Sequence, residues 1–202
     1  MMLLATTNPH KLREIQALLH DVGCDIIGLD RFPGLPPPEE TGTTFAENAA
    51  LKARYYAELT GHAALAEDSG LVVDALGGLP GIESARFGGP ATSYPEKFER
   101  LYAMLDERGS RESPARFVCA VALVSGGQVR FQTQGVVEGR VSPEPRGTHG
   151  FGYDPIFLYP PEGRTLAELR DDQKRVVSHR GAAFRALREY LAIRSGSGLD
   201  QV

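Results

Sequence analysis

A chain of 202 residues, 42% hydrophobic and 24% charged, is long enough for one domain with a real hydrophobic core and has an ordinary soluble, globular composition. No apolar run approaches the roughly 20 residues that span a bilayer, and Met1 to Ala5 lacks the length and basic flank of a signal peptide. A formal net charge of -4 argues against a nucleic-acid surface, yet it leaves room for a phosphorylated small molecule held by a few cations in one cleft.

A cytoplasmic protein without membrane attachment is therefore expected. Cys24 and Cys119 stand far apart in apolar stretches, as buried free thiols in a reducing compartment would.

Met2 to Ala5 reads as a short buried strand. The helix after Thr6-Thr7-Asn8 has Asn8 as N-cap and Pro9 where a missing amide hydrogen costs nothing. Leu12, Ile15, Leu18, Leu19 and Val22 give its apolar stripe, Gly23 closes it, and Asp25 to Leu29 is a second strand. Residues 30–43 form a Pro/Gly-rich loop carrying Glu39 and Glu40.

Thr44 and Glu47 make a capping box for the next helix, which Gly61 stops. Ala63 to Ala66 is a brief strand running into an acidic loop, Glu67-Asp68-Ser69-Gly70, and Leu71 to Leu76 resumes extended structure. Gly77 to Pro90 is too long to be idle filler.

Tyr94 to Arg108 is helical, with Phe98, Leu101, Tyr102 and Leu105 on one face. Ala115 to Ser125 and Gln128 to Glu138 are strands joined at Gly126-Gly127, a strong hairpin signal. A Gly-rich segment, Gly147 to Asp154, precedes the apolar run Ile156-Phe157-Leu158. The last helix runs from about Ser178 to Arg194 on a stripe of Phe184, Leu187 and Leu191, with a frayed tail over 195–202.

Strands alternating with helices, then a long hairpin, give an α/β fold: a mixed central sheet with flanking helices. With no internal repeat and no long linker, residues 1–202 are expected to form a single domain.

Four segments carry chemistry. Thr6, Thr7 and the helix start offer hydroxyls and free amides, and Lys11 adds an ammonium, which together suit a polyphosphate. The same turn also reads as a plain strand-to-helix connection. Glu67 and Asp68 at the end of an apolar strand call for a compensating cation, and carboxylates are the ligands of a hard metal such as Mg²⁺; Glu40 can add another. An acidic turn is the other reading.

Phe151-Gly152-Tyr153-Asp154 offers aromatic faces for a nucleobase and a carboxylate for its N–H, or else a loop anchored in the core. Lys174 and the helix start Ser178-His179-Arg180-Gly181 supply donors for phosphate or a base carbonyl, or else a solvated helix end.

Seven ordered strings carry a resemblance. They are Ala5-Thr6-Thr7-Asn8-Pro9-His10-Lys11, Thr44-Phe45-Ala46-Glu47-Asn48-Ala49, Glu67-Asp68-Ser69-Gly70-Leu71 and Gly77-Gly78-Leu79-Pro80-Gly81-Ile82. Ser84-Ala85-Arg86-Phe87, Gly150-Phe151-Gly152-Tyr153-Asp154-Pro155 and Ser178-His179-Arg180-Gly181 follow. From about residue 3 to 190 the chain resembles the inosine triphosphate pyrophosphatase family, which clears non-standard purine nucleoside triphosphates (ITP, dITP, XTP) by hydrolysis to the monophosphate and pyrophosphate.

The resemblance implies two lobes around a substrate cleft, a homodimer and Mg²⁺ as cofactor, while charge and hydropathy argue for neither nucleic-acid nor membrane partners. It also implies that Asp68 is the catalytic acid/base and a metal ligand, with Glu40 as the second metal carboxylate. Thr6, Thr7, Asn8, Pro9, His10 and Lys11 would hold the triphosphate, and Ser69 would touch substrate. Phe151, Gly152, Tyr153, Asp154, Lys174, His179 and Arg180 would bind the nucleotide.

Glu67, a longer arm than the Asp of relatives, leaves its own role as a ligand open. Two other readings stand at this point: a Maf-like pyrophosphatase of modified pyrimidine nucleotides, and a nucleotide-binding module without catalysis.

Overall fold

A computed structural model describes residues 1–196. The chain folds as a mixed α/β protein with strands β1 (Met2–Leu4), β2 (Ile26–Gly28), β3 (Ala63–Val73), β4 (Pro114–Ser125), β5 (Gln128–Val141), β6 (Phe157–Tyr159) and β7 (Arg164–Thr165). The helices are α1 (Pro9–Leu18), α2 (Phe45–Thr60), α3 (Tyr94–Asp106), α4 (Asp171–Val177) and α5 (His179–Gly196). Strand order is β2-β1-β3-β4-β5-β6-β7. The parallel pairs β1–β2 and β1–β3 are connected through α1 and α2, while β5–β6–β7 are antiparallel.

Backbone contacts divide the chain into two compact units. The first comprises residues 1–68, 119–135 and 180 onward; the second comprises 69–118 and 136–179.

Strand parity organises the first unit. On one face Met2, Leu4, Leu65, Cys119, Val121 and Leu123 pack with Ile15 and Leu18 of α1 and with Phe184, Leu187 and Leu191 of α5. On the other, Leu3, Ala5, Ala64, Ala66, Ala120 and Ala122 pack with Ala49, Ala53 and Tyr56 of α2. Large residues on one side and alanines on the other let α2 lie close to the sheet.

Helix α2 begins where expected. Thr44 accepts from the Glu47 amide at 3.1 Å, and the Glu47 carboxylate accepts from the Thr44 amide at 3.1 Å, a box of the kind that contributes about 1 kcal/mol. Gly61 then ends the helix in a left-handed conformation.

In the second unit, Phe98, Leu101, Tyr102 and Leu105 of α3 pack on Leu71, Val73, Ala115, Phe117, Val137, Phe157 and Leu166.

Several expectations are corrected. Glu67-Asp68-Ser69-Gly70 is no loop but the interior of β3, a single strand of 11 residues. The chain can stay extended there because cations from α1, α2 and α5 balance the acids. Helix α1 stops at Leu18, before the expected Val22, although Val22 still packs against the core.

β3 ends at Val73, and Asp74–Leu76 is a 3-10 turn. Helix α4, rich in charge and without an apolar stripe, was not expected. The hairpin turn conforms, since Gly126 and Gly127 both take positive φ, 57° and 75°. Helix α5 continues to Gly196, and residues 197–202 of the expected frayed tail lie outside the described residues. No described helix is long and apolar enough to cross a membrane.

Candidate active site

Successive side chains on a strand point to opposite faces, so Glu67 and Asp68 are carried apart. Glu67 shares its face with Leu65 and therefore meets α1 and α5. Asp68 shares its face with Ala64 and Ala66 and meets α2.

On the α2 face, the ammonium of Lys52 lies 2.8 Å from Asp68 Oδ1 and 2.8 Å from Glu40 Oε1. Asn48, one helical turn before Lys52, reaches Asp68 Oδ2 at 3.5 Å and accepts from the Gly42 amide at 2.8 Å. The next residues along are held as well: Glu47 accepts from the Thr43 amide at 2.7 Å and its hydroxyl at 2.9 Å. A Cβ at Gly42 would lie 2.6 Å from Asn48 Oδ1, so only glycine lets this segment fold down and present Glu40.

Burial raises the Asp68 pKa, Lys52 opposes the rise and Glu40 adds to it. For Lys52, burial works to neutralise the amine, but Asp68 and Glu40 prevail and its pKa is raised.

On the other face, Glu67 is held from three directions. Lys11 Nζ lies 2.8 Å from Oε1, and Arg180 grips both oxygens through Nε and Nη2 at 3.1 and 3.2 Å. The thiol of Cys119 donates to Oε2 at 2.8 Å, and Arg180 Nη1 reaches Glu14 Oε2 at 2.7 Å. Lys11 and Arg180 thus offset Glu67 and Glu14 in charge.

Burial alone would raise the Glu67 pKa, but Arg180 and Lys11 hold it well below the usual carboxylate range. Burial and the Glu67 charge keep the Cys119 thiol protonated.

The turn into α1 differs from the free-amide cradle expected of it. Asn8 Oδ1 accepts from the amides of His10 and Lys11 at 2.9 and 3.3 Å, and Thr6 Oγ1 accepts from the Asn8 amide at 3.2 Å. Two of the helix-start amides therefore serve the cap. Thr7 and His10 are exposed, and His10 Nδ1 lies 2.8 Å from Arg13 Nη2.

In the second unit, Asp154 Oδ2 accepts from Lys174 Nζ at 2.6 Å and from the Phe151 amide at 2.8 Å. That ammonium also lies 4.8 Å from the centre of the Phe151 ring. Gly150 has to be glycine, because its φ is +70° and a Cβ would lie 2.2 Å from Asp154 Oδ2. Tyr153 faces the core rather than offering a stacking face, and its hydroxyl donates to the Ser84 carbonyl at 3.0 Å. His179 is also buried, stacked on Phe117 at 4.7 Å and 11°. Ser69 is half-buried within β3.

Among the described residues no cluster of three or more His, Cys, Asp or Glu side chains could hold a metal. The pair that converges, Asp68 and Glu40, meets on one cation. Two hard oxygens suit a Mg²⁺-like ion, which takes one or two carboxylates and fills its remaining positions with water and phosphate oxygens. Glu67, on the opposite face, anchors Arg180 and Lys11.

The profile of the Ham1 family matches residues 2–190. The chain belongs to the Ham1 family. A relative from Exiguobacterium sp. (strain AT1b), named dITP/XTP pyrophosphatase, is 46% identical over 186 residues, 92% of this chain and 94% of its own. One of the same name from Geobacter sulfurreducens is 45% identical, covering 94% and 96% of the two chains. The structure of a HAM1 protein from Coxiella burnetii superposes with a TM-score of 0.88 at 41% identity, over 95% of this chain and 98% of that one.

The sequence singled out Asp68, Glu40 and Lys11 of this Ham1 protein but passed over Lys52, Asn48 and Glu14. A signal for the first two existed: Asn48 lies in the string Thr44-Phe45-Ala46-Glu47-Asn48, and Lys52 is four residues on, on the same helix face.

Proposed function

We propose that this Ham1 protein hydrolyses the non-standard purine nucleoside triphosphates ITP, dITP and XTP to the monophosphate and pyrophosphate. The observation that carries the proposal is the convergence of Asp68 and Glu40 on one cation position, with Lys52 and Asn48 fixing the geometry. Relatives that share over 40% of their residues across nearly the whole chain are named for this activity.

Asp68 and Glu40 would hold a divalent cation, Mg²⁺. When bound, it neutralises phosphate charge and makes a coordinated water more acidic. Asp68 accepts a proton from the water that attacks the α-phosphorus, and the bond from that phosphorus to the oxygen bridging to the β-phosphate breaks. Pyrophosphate leaves with charge that Lys11 and Lys52 offset.

Thr6 and Thr7 offer hydroxyls to the triphosphate, Asn8, Pro9 and His10 shape the turn, and Ser69 touches substrate. Phe151, Gly152, Asp154, Lys174 and Arg180 recognise the base, while the buried Tyr153 and His179 support that region through Ser84 and Phe117. Glu67 and Glu14 fix the plane of the Arg180 guanidinium, and donors so fixed favour a 6-oxo acceptor over adenine's 6-amino donor. The proposal places the enzyme in the cytoplasm as a homodimer, without nucleic-acid or membrane partners.

Hydrolysis of XTP in ¹⁸O-labelled water tests the bond broken. The label should enter the monophosphate, and the pyrophosphate should remain unlabelled. Orthophosphate as the first product, or label in the pyrophosphate, would refute attack at the α-phosphorus.

A further inference from the structure

The loop Phe151-Gly152-Tyr153-Asp154 has an aromatic neighbour that the function above does not use. Tyr94 is the first residue of α3, and that helix start is tied down. The Glu96 carboxylate accepts from the Ser93 amide at 2.8 Å and from its hydroxyl at 2.7 Å. The Tyr94 ring stands edge-on to Tyr153, centroids 5.4 Å apart at 89°. It also flanks the backbone of Gly152, where a Cβ would meet the Tyr94 hydroxyl and two ring carbons at 3.6 to 3.7 Å. Tyr153 is 3% exposed, whereas Tyr94 is 36% exposed.

Behind the ring sits a buried cation. Lys97, three residues along α3, lies 4.8 Å from the Tyr94 ring centre and donates to the carbonyls of Ala85 and Ser84 at 2.5 and 3.5 Å. Its ammonium is held by carbonyl oxygens and an aromatic face, and no described carboxylate pairs with it. An aromatic side chain fixed on several sides and open on another loses little entropy on binding a flat ligand.

We propose that Tyr94 is a specificity-determining contact for the purine base, its exposed ring and hydroxyl forming a wall of the subsite at Phe151 to Asp154, and that Lys97 is a positioning residue holding the ring there. The proposal rests on the nucleotide reading of that loop and adds a residue to it. The ring supplies contact area, and the hydroxyl can donate to an oxo group of the base.

Equilibrium binding to the full-length chain in Mg²⁺ separates the base from the phosphates. The probes are inosine monophosphate and inorganic pyrophosphate. Tyr94→Ala should weaken inosine monophosphate about tenfold, as loss of one base–aromatic contact does, and leave pyrophosphate within about twofold. Tyr94→Phe should keep most of that affinity, and Lys97→Met should fall between the two. In turnover, Tyr94→Ala should raise KM for XTP about tenfold with kcat within about twofold.

Should the alanine variant not fold, Tyr94→Leu keeps an apolar contact with Phe98 and carries the same expectation. Unchanged binding of inosine monophosphate in a cooperatively melting variant would overturn the proposal. So would equal losses for both probes, which mark a merely structural residue. A wild-type chain that binds neither probe would instead overturn the nucleotide reading itself.

Discussion

Asparagine in place of Asp68 should leave the chain folded and lower kcat for XTP by about 10²–10⁴-fold, the usual contribution of a positioned proton acceptor. The substitution preserves shape. The carbonyl of the amide can still accept from Lys52, as Asp68 Oδ1 does now at 2.8 Å. The group can no longer take a proton, and one of two negative charges facing the proposed cation is lost.

Stability should change little, because two effects oppose each other. Burial makes the charged carboxylate costly, as its raised pKa shows, so a neutral amide relieves desolvation. Against that, Lys52 is left with Glu40 as its charged partner on this face. Pyrophosphate release and thermal melting measured together check the prediction. Activity within a few-fold of wild type would remove Asp68 from the chemistry.

Glu67→Gln should act mainly through the fold. Arg180 is 2% exposed and grips Glu67 through two nitrogens; without that charge the buried guanidinium loses its two-pronged carboxylate partner and retains the ion pair with Glu14. Removing one partner of a buried ion pair costs about 3–5 kcal/mol, far more than the pair adds over an apolar replacement. Urea unfolding at neutral pH should show a loss of this order.

The pH dependence has a definite sign. The folded pKa of Glu67 is depressed below its ordinary value of 4.5, so its stabilisation is present above that value. It is lost as pH falls through the lower folded pKa. Wild type should therefore lose stability steeply below about pH 4.5, and the Gln variant should lack that part of the loss. A variant as stable as wild type at neutral pH would contradict the anchoring role.

Local signals in the sequence were strong wherever one segment satisfied itself. Asn8 with Pro9, Thr44 with Glu47, and Gly126-Gly127 each determine a boundary through neighbours two to four residues away, and each stands where expected. The acid pair could not be placed that way. Glu67 and Asp68 look like a turn because two adjacent carboxylates in an apolar strand are costly alone. Their compensation comes from Lys11, Lys52 and Arg180, the last 113 residues away from Glu67.

The helical spacing from Asn48 to Lys52 did not by itself reveal that Lys52 reaches the acids, for a related reason. A lysine on an amphipathic helix is ordinarily solvated, and only the close approach of α2 across alanines 49, 53, 64 and 66 brings it to β3. Helix α4 offers no apolar stripe, so periodicity could not reveal it. Conversely, Tyr153 and His179 were expected as open ligands because the sequence shows aromatic and donor groups but not their burial.

Substrate choice bears most directly on the whole account. Pyrophosphate release with Mg²⁺ should be measured for XTP, ITP, dITP, GTP and ATP under one set of conditions. kcat/KM for XTP, ITP and dITP should exceed that for ATP by about 10⁴-fold or more, as expected of a site whose fixed donors match an oxo group and oppose an amino group. Comparable turnover of ATP and ITP would contradict it.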